Sequence, residues 1–318
     1  YTSWYGIVHL SPRLYAEYDA IMQRLFVMSS DCCPPGKNQT TGNNSNAAPD
    51  QHRQSVRDAY AKVANAENAV ACCGPEASCC GVSDDESINV LISTRLGYSE
   101  DELSSVPSGA DMGLGCGNPR AIASLKPGEV VVDLGAGGGF DCFLSAQEVG
   151  DAGHVIGVDM TPDMLSKARN NAANGGFTNV EFRLGEIEHL PIADGTADVI
   201  ISNCVINLSP DKEQVFRDAY RVLKAGGRLA ISDVVATVEL PGEMRKDPAL
   251  IAGCMGNASL IEDLAAMIKA AGFEKVAINP KDEYREFIRD WAPHHDVTDY
   301  VVSATIEAVK PGGPASAC

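Results

Sequence analysis

No segment of this chain offers the ~20 consecutive apolar residues that a membrane-spanning helix needs. The opening stretch, residues 1–30, is interrupted by Arg13, Glu17, Asp19 and Arg24, so it lacks the unbroken apolar core of a secretory leader. Positive charge is scarce as well. The chain has 25 Lys and Arg against 43 Asp and Glu, a net charge of −18, and this excludes the basic face that a nucleic-acid partner requires. The acidity itself reads as a solvated exterior. Aromatic residues make up only 6% of the sequence and give no hint of a dedicated pocket for a large organic substrate. With membrane and nucleic acid set aside, the chain is expected in the cytoplasm, where a reducing milieu keeps thiols free.

Cysteine, by contrast, is plentiful. Eleven are present, and three stand in short phrases of their own: Cys116 in Gly-Leu-Gly-Cys-Gly-Asn-Pro, Cys204 in Ile-Ser-Asn-Cys-Val-Ile-Asn-Leu, and Cys254 in Ala-Gly-Cys-Met-Gly. A lone Cys in an apolar element is ordinarily core, and Cys142 is read that way. Cys116 and Cys254 lie instead among glycines and small residues, and Cys204 follows a strand at the end where α/β sheets bind ligands. Three soft sulfur donors at one mouth of a sheet suit a soft, thiol-seeking atom better than an ordinary organic substrate.

Along the chain, Met28 in Met-Ser-Ser-Asp-Cys-Cys-Pro-Pro reads as a natural start, and residues 1–27 are expected to be an upstream extension or an artefact of gene assignment. Residues 1–50 together are expected to form a flexible extension, rich in Ser, Asn, Gly, Pro and Thr from 29 onward. Segment 51–115 is expected to hold a helix over 51–70, followed by an irregular, cysteine-rich lid over 72–115. Strands are expected at 129–134, 154–159, 180–184, 198–202 and 228–234. Helices are expected at 139–149, 162–173 (capped by Thr161) and 212–223. This alternation predicts an α/β fold over 116–234, a doubly wound, Rossmann-like and largely parallel sheet. Residues 235–310 are expected to complete the sheet and wall the site as a C-terminal α+β extension, with 311–318 as a flexible tail.

The run Asp133-Leu-Gly135-Ala-Gly137-Gly-Gly139 ends the first strand and opens a helix. Glycines let the backbone turn sharply and a ligand approach closely, and the helix N-terminus faces that ligand. Asp159 ends the next strand, where a carboxylate can accept ribose hydroxyls. Asp133 stands where a carboxylate can hold a cationic amino-acid end or the neighbouring loop. Gly185-Glu186-Ile187-Glu188, after the third strand, offers a carboxylate and backbone amides where an adenine can be read.

This order of acid, glycine loop, acid and acid resembles the class I S-adenosylmethionine-dependent methyltransferases. The resemblance implies S-adenosylmethionine as cofactor, with Gly135 and Gly137 at its methionine end and Asp159 on the ribose. It puts Met160 against the adenine and Glu186 and Ile187 at the adenine edge. Asn203 is expected to contact the cofactor or to orient Cys204.

Longer phrases narrow the family. Gly-Leu-Gly-Cys-Gly-Asn-Pro, Val-Asp-Met-Thr-Pro-Asp-Met, Ile-Ser-Asn-Cys-Val-Ile-Asn-Leu-Ser-Pro-Asp-Lys and Arg-Val-Leu-Lys-Ala-Gly-Gly-Arg are similar to arsenite methyltransferases, and the similarity runs from about residue 56 to 310. It implies that Cys116, Cys204 and Cys254 hold trivalent arsenic as thiolates, with arsenite or its thiol conjugates as substrate. It also implies a further N-terminal exchange thiol, a role open to Cys72, Cys73, Cys79 or Cys80. A disulfide formed during turnover would need thioredoxin or glutathione as reductant. The two adjacent pairs also total a structural-zinc number, although they lack the usual gap between ligands. Cys32, Cys33 and Cys318 are expected in tails, His189 on the surface or near the adenine edge, and His294 and His295 on the surface. Two other functions stay open: a small-molecule carbon or oxygen methyltransferase of the quinone-biosynthesis type, and a non-catalytic thiol sink for metalloids.

Overall fold

Strands that read Val-Val-Val-Asp-Leu and Ala-Asp-Val-Ile-Ile-Ser-Asn are apolar on both faces, and only helices covering both sides of a sheet can bury them. The computed structural model, which describes residues 47–66, 85–285, 288–289 and 296–312, shows that arrangement. Seven strands form one sheet: β1 (Val130–Leu134), β2 (His154–Asp159), β3 (Val180–Leu184), β4 (Ala197–Asn203), β5 (Leu223–Ala236), β6 (Glu274–Pro280) and β7 (Val301–Val309). Their order is β3-β2-β1-β4-β5-β7-β6. The first five run parallel, β7 pairs antiparallel with β5, and β6 pairs antiparallel with β7. The Rossmann-like expectation holds, and the antiparallel edge supplied by residues 274–309 completes the sheet.

Side chains alternate across the strands. Val132, Leu134, Ile156, Ile200 and Ile231 face one layer, packing with Phe216 and Val222 of α7 (Lys212–Val222) and with Ile268 of α9 (Ile261–Ala270). Val131, Val155, Val199 and Ala230 face the other. There they meet Phe143 and Val149 of α5 (Phe140–Val149) and Leu165 of α6 (Pro162–Gly175). Because β1 has β2 on one side and β4 on the other, the chain leaves the carboxyl ends of β1 and β4 in opposite directions. A ligand crevice opens at such a switch point.

Several local expectations need correction. The described part of 72–115 is not irregular throughout: α2 (Asp85–Arg95) and α3 (Glu100–Ser104) are helices. The start of α3 is a capping box in which Ser99 accepts from the Glu102 amide while the Glu102 side chain takes the Ser99 amide. Thr161 occupies the N-cap of α6, but its side chain caps nothing; its amide is held by Asp159 Oδ1 at 2.8 Å instead. Strand β5 begins five residues before the expected 228, because Leu223 pairs with Ala197 ahead of a register shift. It also runs to Ala236, so the sheet crosses position 234 without interruption. The remaining helices are α1 (Ala47–Ala66), α4 (Arg120–Ala123) and α8 (Pro248–Ala252).

Candidate active site

Cys204 follows the carboxyl end of β4, and Cys254 follows the short helix α8. Cys116 lies in the loop before α4. The fold gathers all three, 0%, 3% and 1% exposed for Cys116, Cys204 and Cys254 respectively. Cys204 is central: its thiol neighbours those of both Cys116 and Cys254. The Cys116 and Cys204 sulfurs and an Asp233 carboxylate oxygen all lie within 4.8 Å of one another. The Cys254 thiol stands outside that tight set and donates to the Cys204 carbonyl.

Cross-links hold the loops in place. The Asn203 side-chain oxygen accepts from the Cys116 amide at 3.0 Å, and its Nδ2 donates to Gly117 O at 2.9 Å. Ser303 Oγ, from β7, donates to the Cys116 carbonyl at 2.6 Å. Asp233, in β5, accepts from the Ile206 amide at 2.8 Å and from Asn207 Nδ2 at 2.9 Å, which fixes the turn after Cys204. Asn257 Nδ2 ties the Cys254 loop to that same turn through the carbonyls of Asn207 and Ser209, both at 3.0 Å. Lys212 Nζ adds contacts to Asn257 O and Ser259 Oγ. Cys204 and Cys254 adopt φ of 60° and 62°, a left-handed conformation that is costly for any residue but glycine.

Burial dominates the electrostatics. It pushes the Cys116 thiol up to about 11 and raises those of Cys204 and Cys254, so all three keep their protons at neutral pH. It lifts the Asp233 carboxyl to about 6 and depresses the Lys212 ammonium to about 8.

Beside the thiols lies a cavity walled by the glycine loop, Asp159, Met160, Ile187 and helix α1. Cys204 forms part of its wall, so the thiol cluster opens onto the cavity through that residue. Gly135 has φ of 71°, and a Cβ there would stand 2.5 Å from a Val205 methyl, so only glycine lets β1 turn under the cavity floor. Asp159 at the end of β2 accepts from the Gly137 amide at 3.0 Å while also lining the cavity. Asp133 is buried and accepts from the Cys142 thiol at 3.2 Å. Helix α1 contributes Arg53, Val56 and Tyr60 to the wall and is latched by Arg53 ion pairs to Glu186 (3.3 Å) and Glu188 (3.2 Å). The Tyr60 hydroxyl donates to Ala252 O at 3.2 Å and neighbours the Cys254 thiol.

A model of the methyltransferase-domain family matches residues 125–272. The arsenite methyltransferase of Halobacterium salinarum is 55% identical over 270 residues, which cover 83% of this chain and 68% of that protein. This chain belongs to the arsenite methyltransferase family. The human arsenite methyltransferase is 43% identical over 152 residues, 45% of this chain and 40% of its own length. Among solved structures, the arsenic(III) S-adenosylmethionine methyltransferase of Chlamydomonas reinhardtii matches with a TM-score of 0.52 and 32% identity, over 70% of this chain and 74% of that one.

For this arsenite methyltransferase-family chain, the structure brings together Cys116, Cys204 and Cys254, and sets Asp133, Gly135, Gly137, Asp159, Met160, Ile187 and Asn203 around the adjoining cavity. Glu186 is placed differently: it turns to Arg53 and Arg57, and Glu188 reaches the cavity wall beside it. Asn203 lines the cavity too, but its amide clamps the Cys116 loop rather than Cys204. Cys72, Cys73, Cys79 and Cys80 lie outside the described residues, and with them the exchange-thiol and zinc readings; so do Cys32, Cys33, His294, His295 and Cys318. His189 is exposed, and Cys142 is fully buried. Sequence reasoning passed over Asp233 and Lys212. An acid inside the apolar run of β5 was a usable signal for the first. Lys212, at the start of α7, looked like an ordinary surface residue. No helix among the described residues is long and apolar enough to cross a membrane.

Proposed function

We propose that this protein transfers methyl groups from S-adenosylmethionine to trivalent arsenic held by the thiolates of Cys116, Cys204 and Cys254. The observation that carries the reading is the position of Cys204, whose thiol neighbours the other two while also forming part of the cavity wall. The cavity fits the cofactor by its donor set: a glycine loop open to close approach, Asp159 for ribose hydroxyls, and Met160 with Ile187 for an adenine. S-adenosylmethionine, when bound, supplies an electrophilic methyl on a sulfonium.

The rest of the work falls to this chain. Arsenite at neutral pH is an uncharged trihydroxide, and the buried thiols are protonated. Condensation breaks three As–O bonds and forms three As–S bonds, and each thiol proton leaves with a hydroxide as water. The complex carries no net charge, which suits a site where burial penalises ions. Arsenic bound to three thiolates keeps one lone pair, and placement through Cys204 brings that atom to the cavity. No base is required, because arsenic has no proton to lose. Positioning of the acceptor is then the main catalytic contribution. Methylation leaves arsenic formally pentavalent. Its return to the trivalent state takes two electrons, which a pair of thiols supplies by forming a disulfide, with thioredoxin or glutathione as final reductant. The reducing cytoplasm provides such a pool. Cys72 and Cys73 are proposed for thiol exchange, with Cys79 and Cys80 as the competing pair.

The test is arsenic speciation after incubating the purified protein with arsenite, S-adenosylmethionine and a thiol reductant, beside Cys116→Ser, Cys204→Ser and Cys254→Ser. Methylated arsenic from the wild type, lost in Cys204→Ser and Cys254→Ser, is the expected result. Cofactor binding without methylated arsenic from the wild type overturns the assignment.

A further inference from the structure

Asp111 lies in the cavity wall, in the segment that leads to the Cys116 loop. Its Oδ1 accepts from Ser93 Oγ at 2.9 Å and from the Gly113 amide at 3.0 Å. Its Oδ2 is buried and has no hydrogen-bond partner among the described residues. A buried polar atom left in that state calls for a ligand or another explanation, because the desolvation of a carboxylate oxygen goes uncompensated.

Neighbouring acids of the cavity are already engaged within the chain. Asp133 accepts from Cys142, Asp141 from the Tyr98 hydroxyl at 2.7 Å and Asn203 Nδ2 at 3.2 Å, and Asp159 from the amides of Gly137 and Thr161. The residues flanking Asp111 lean on the glycine loop. A Cβ on Gly138 would meet Ala110 O at 3.0 Å and Met112 Cε at 3.2 Å. Asp111 therefore belongs to the glycine-loop end of the cavity, the end that faces the amino-acid moiety under the cofactor reading. Burial also pushes its carboxyl above the ordinary range, and a cation at Oδ2 would reverse that shift.

We propose that Asp111 Oδ2 receives the α-ammonium group of the cofactor's methionine moiety, so that the site selects ligands with a zwitterionic amino-acid end. The inference rests on the S-adenosylmethionine reading above. Asp111 thereby joins the cofactor site to helix α2, through Ser93, and to the thiol-bearing loop that follows it.

The test is calorimetric titration of the full-length protein with S-adenosylhomocysteine and with its deamino analogue, in which hydrogen replaces the amine and the carboxylate is kept. A charge-assisted hydrogen bond predicts that the wild type prefers the amine-bearing ligand by about tenfold or more. Asp111→Asn should abolish most of that preference by weakening the amine-bearing ligand alone. Ser93→Ala, which removes a bond to Oδ1 and leaves Oδ2 in place, should keep the preference even if it lowers stability. Equal weakening of both ligands in Asp111→Asn, or no change in either, overturns the proposal and makes Asp111 a brace for the Gly113 turn. Failure of the wild type to bind either ligand overturns the cofactor reading as well.

Discussion

The two left-handed cysteines set up a stability comparison that narrows the usual advantage of alanine over glycine. Cys204 and Cys254 hold φ of 60° and 62°, and both are buried. An L-residue in that region carries a cost of about 1–2 kcal/mol, which glycine does not. Glycine in turn loses about 0.5–1 kcal/mol relative to alanine through the freedom of its unfolded chain. Alanine also buries a methyl that glycine lacks, worth about 0.8 kcal/mol, so at Cys204 and Cys254 the two variants should lie within about 1 kcal/mol of each other. Cys142 provides the control, since it sits inside α5. There propensity and the buried methyl act together, and alanine should be favoured by about 2 kcal/mol. The lost-sulfur term is common to each Gly/Ala pair and the methyl term recurs at all three buried sites, so the difference between sites isolates the backbone. Urea denaturation of the six single variants measures it directly. The alanine advantage should be smaller at positions 204 and 254 than at position 142 by about 1–2 kcal/mol. An alanine advantage at 204 or 254 as large as that at 142 would refute the view that strain is stored under these thiols.

Gly115→Ala should act through its neighbour. Its Cβ would stand 2.6 Å from Asn203 Nδ2, so the amide must move and release the Cys116 amide and Gly117 carbonyl. A loss of about 2–3 kcal/mol, with weaker arsenite binding, is expected. The double variant with Asn203→Ala should be sub-additive, because both break the same bonds, and full additivity in denaturation would contradict this. The thiols also fix an alkaline stability slope. Their folded pKa values are raised, to about 11 for Cys116, so the folded state keeps protons that the unfolded chain sheds from about pH 9. That contribution is fully present below pH 9 and is lost as pH rises through the folded values. Lys212, depressed to about 8, opposes it with a single proton between about pH 8 and 10.5. Arsenite loading removes three of the four buried thiols among the described residues, so the fall in stability between pH 9 and 11 should shrink markedly. An unchanged slope in the loaded protein would count against three-thiol binding.

The sequence by itself determined the local and periodic features. Doubly apolar strands alternating with amphipathic helices specify a parallel sheet buried on both faces, because each element carries its own burial pattern. The glycine loop and the acids at strand ends are equally local, since a sharp turn under a ligand admits few residue types; so Asp133, Gly135, Gly137 and Asp159 were legible in order. The capping box at Ser99 and Glu102 was also present in the sequence, although a polar stretch concealed it. Only the tertiary structure decided the rest. Cys116 and Cys254 are 138 residues apart, and their meeting around Cys204 depends on bonds from Asn203, Ser303, Asp233 and Asn257 that no spacing encodes. Glu186 turned to arginines on α1 because a helix more than 100 residues earlier in the chain lies beside it. Lys212 and Asp233 acquired their shifted titrations, and Asp111 its unpaired oxygen, from burial among distant segments. Desolvation belongs to the packed molecule; no residue carries it alone.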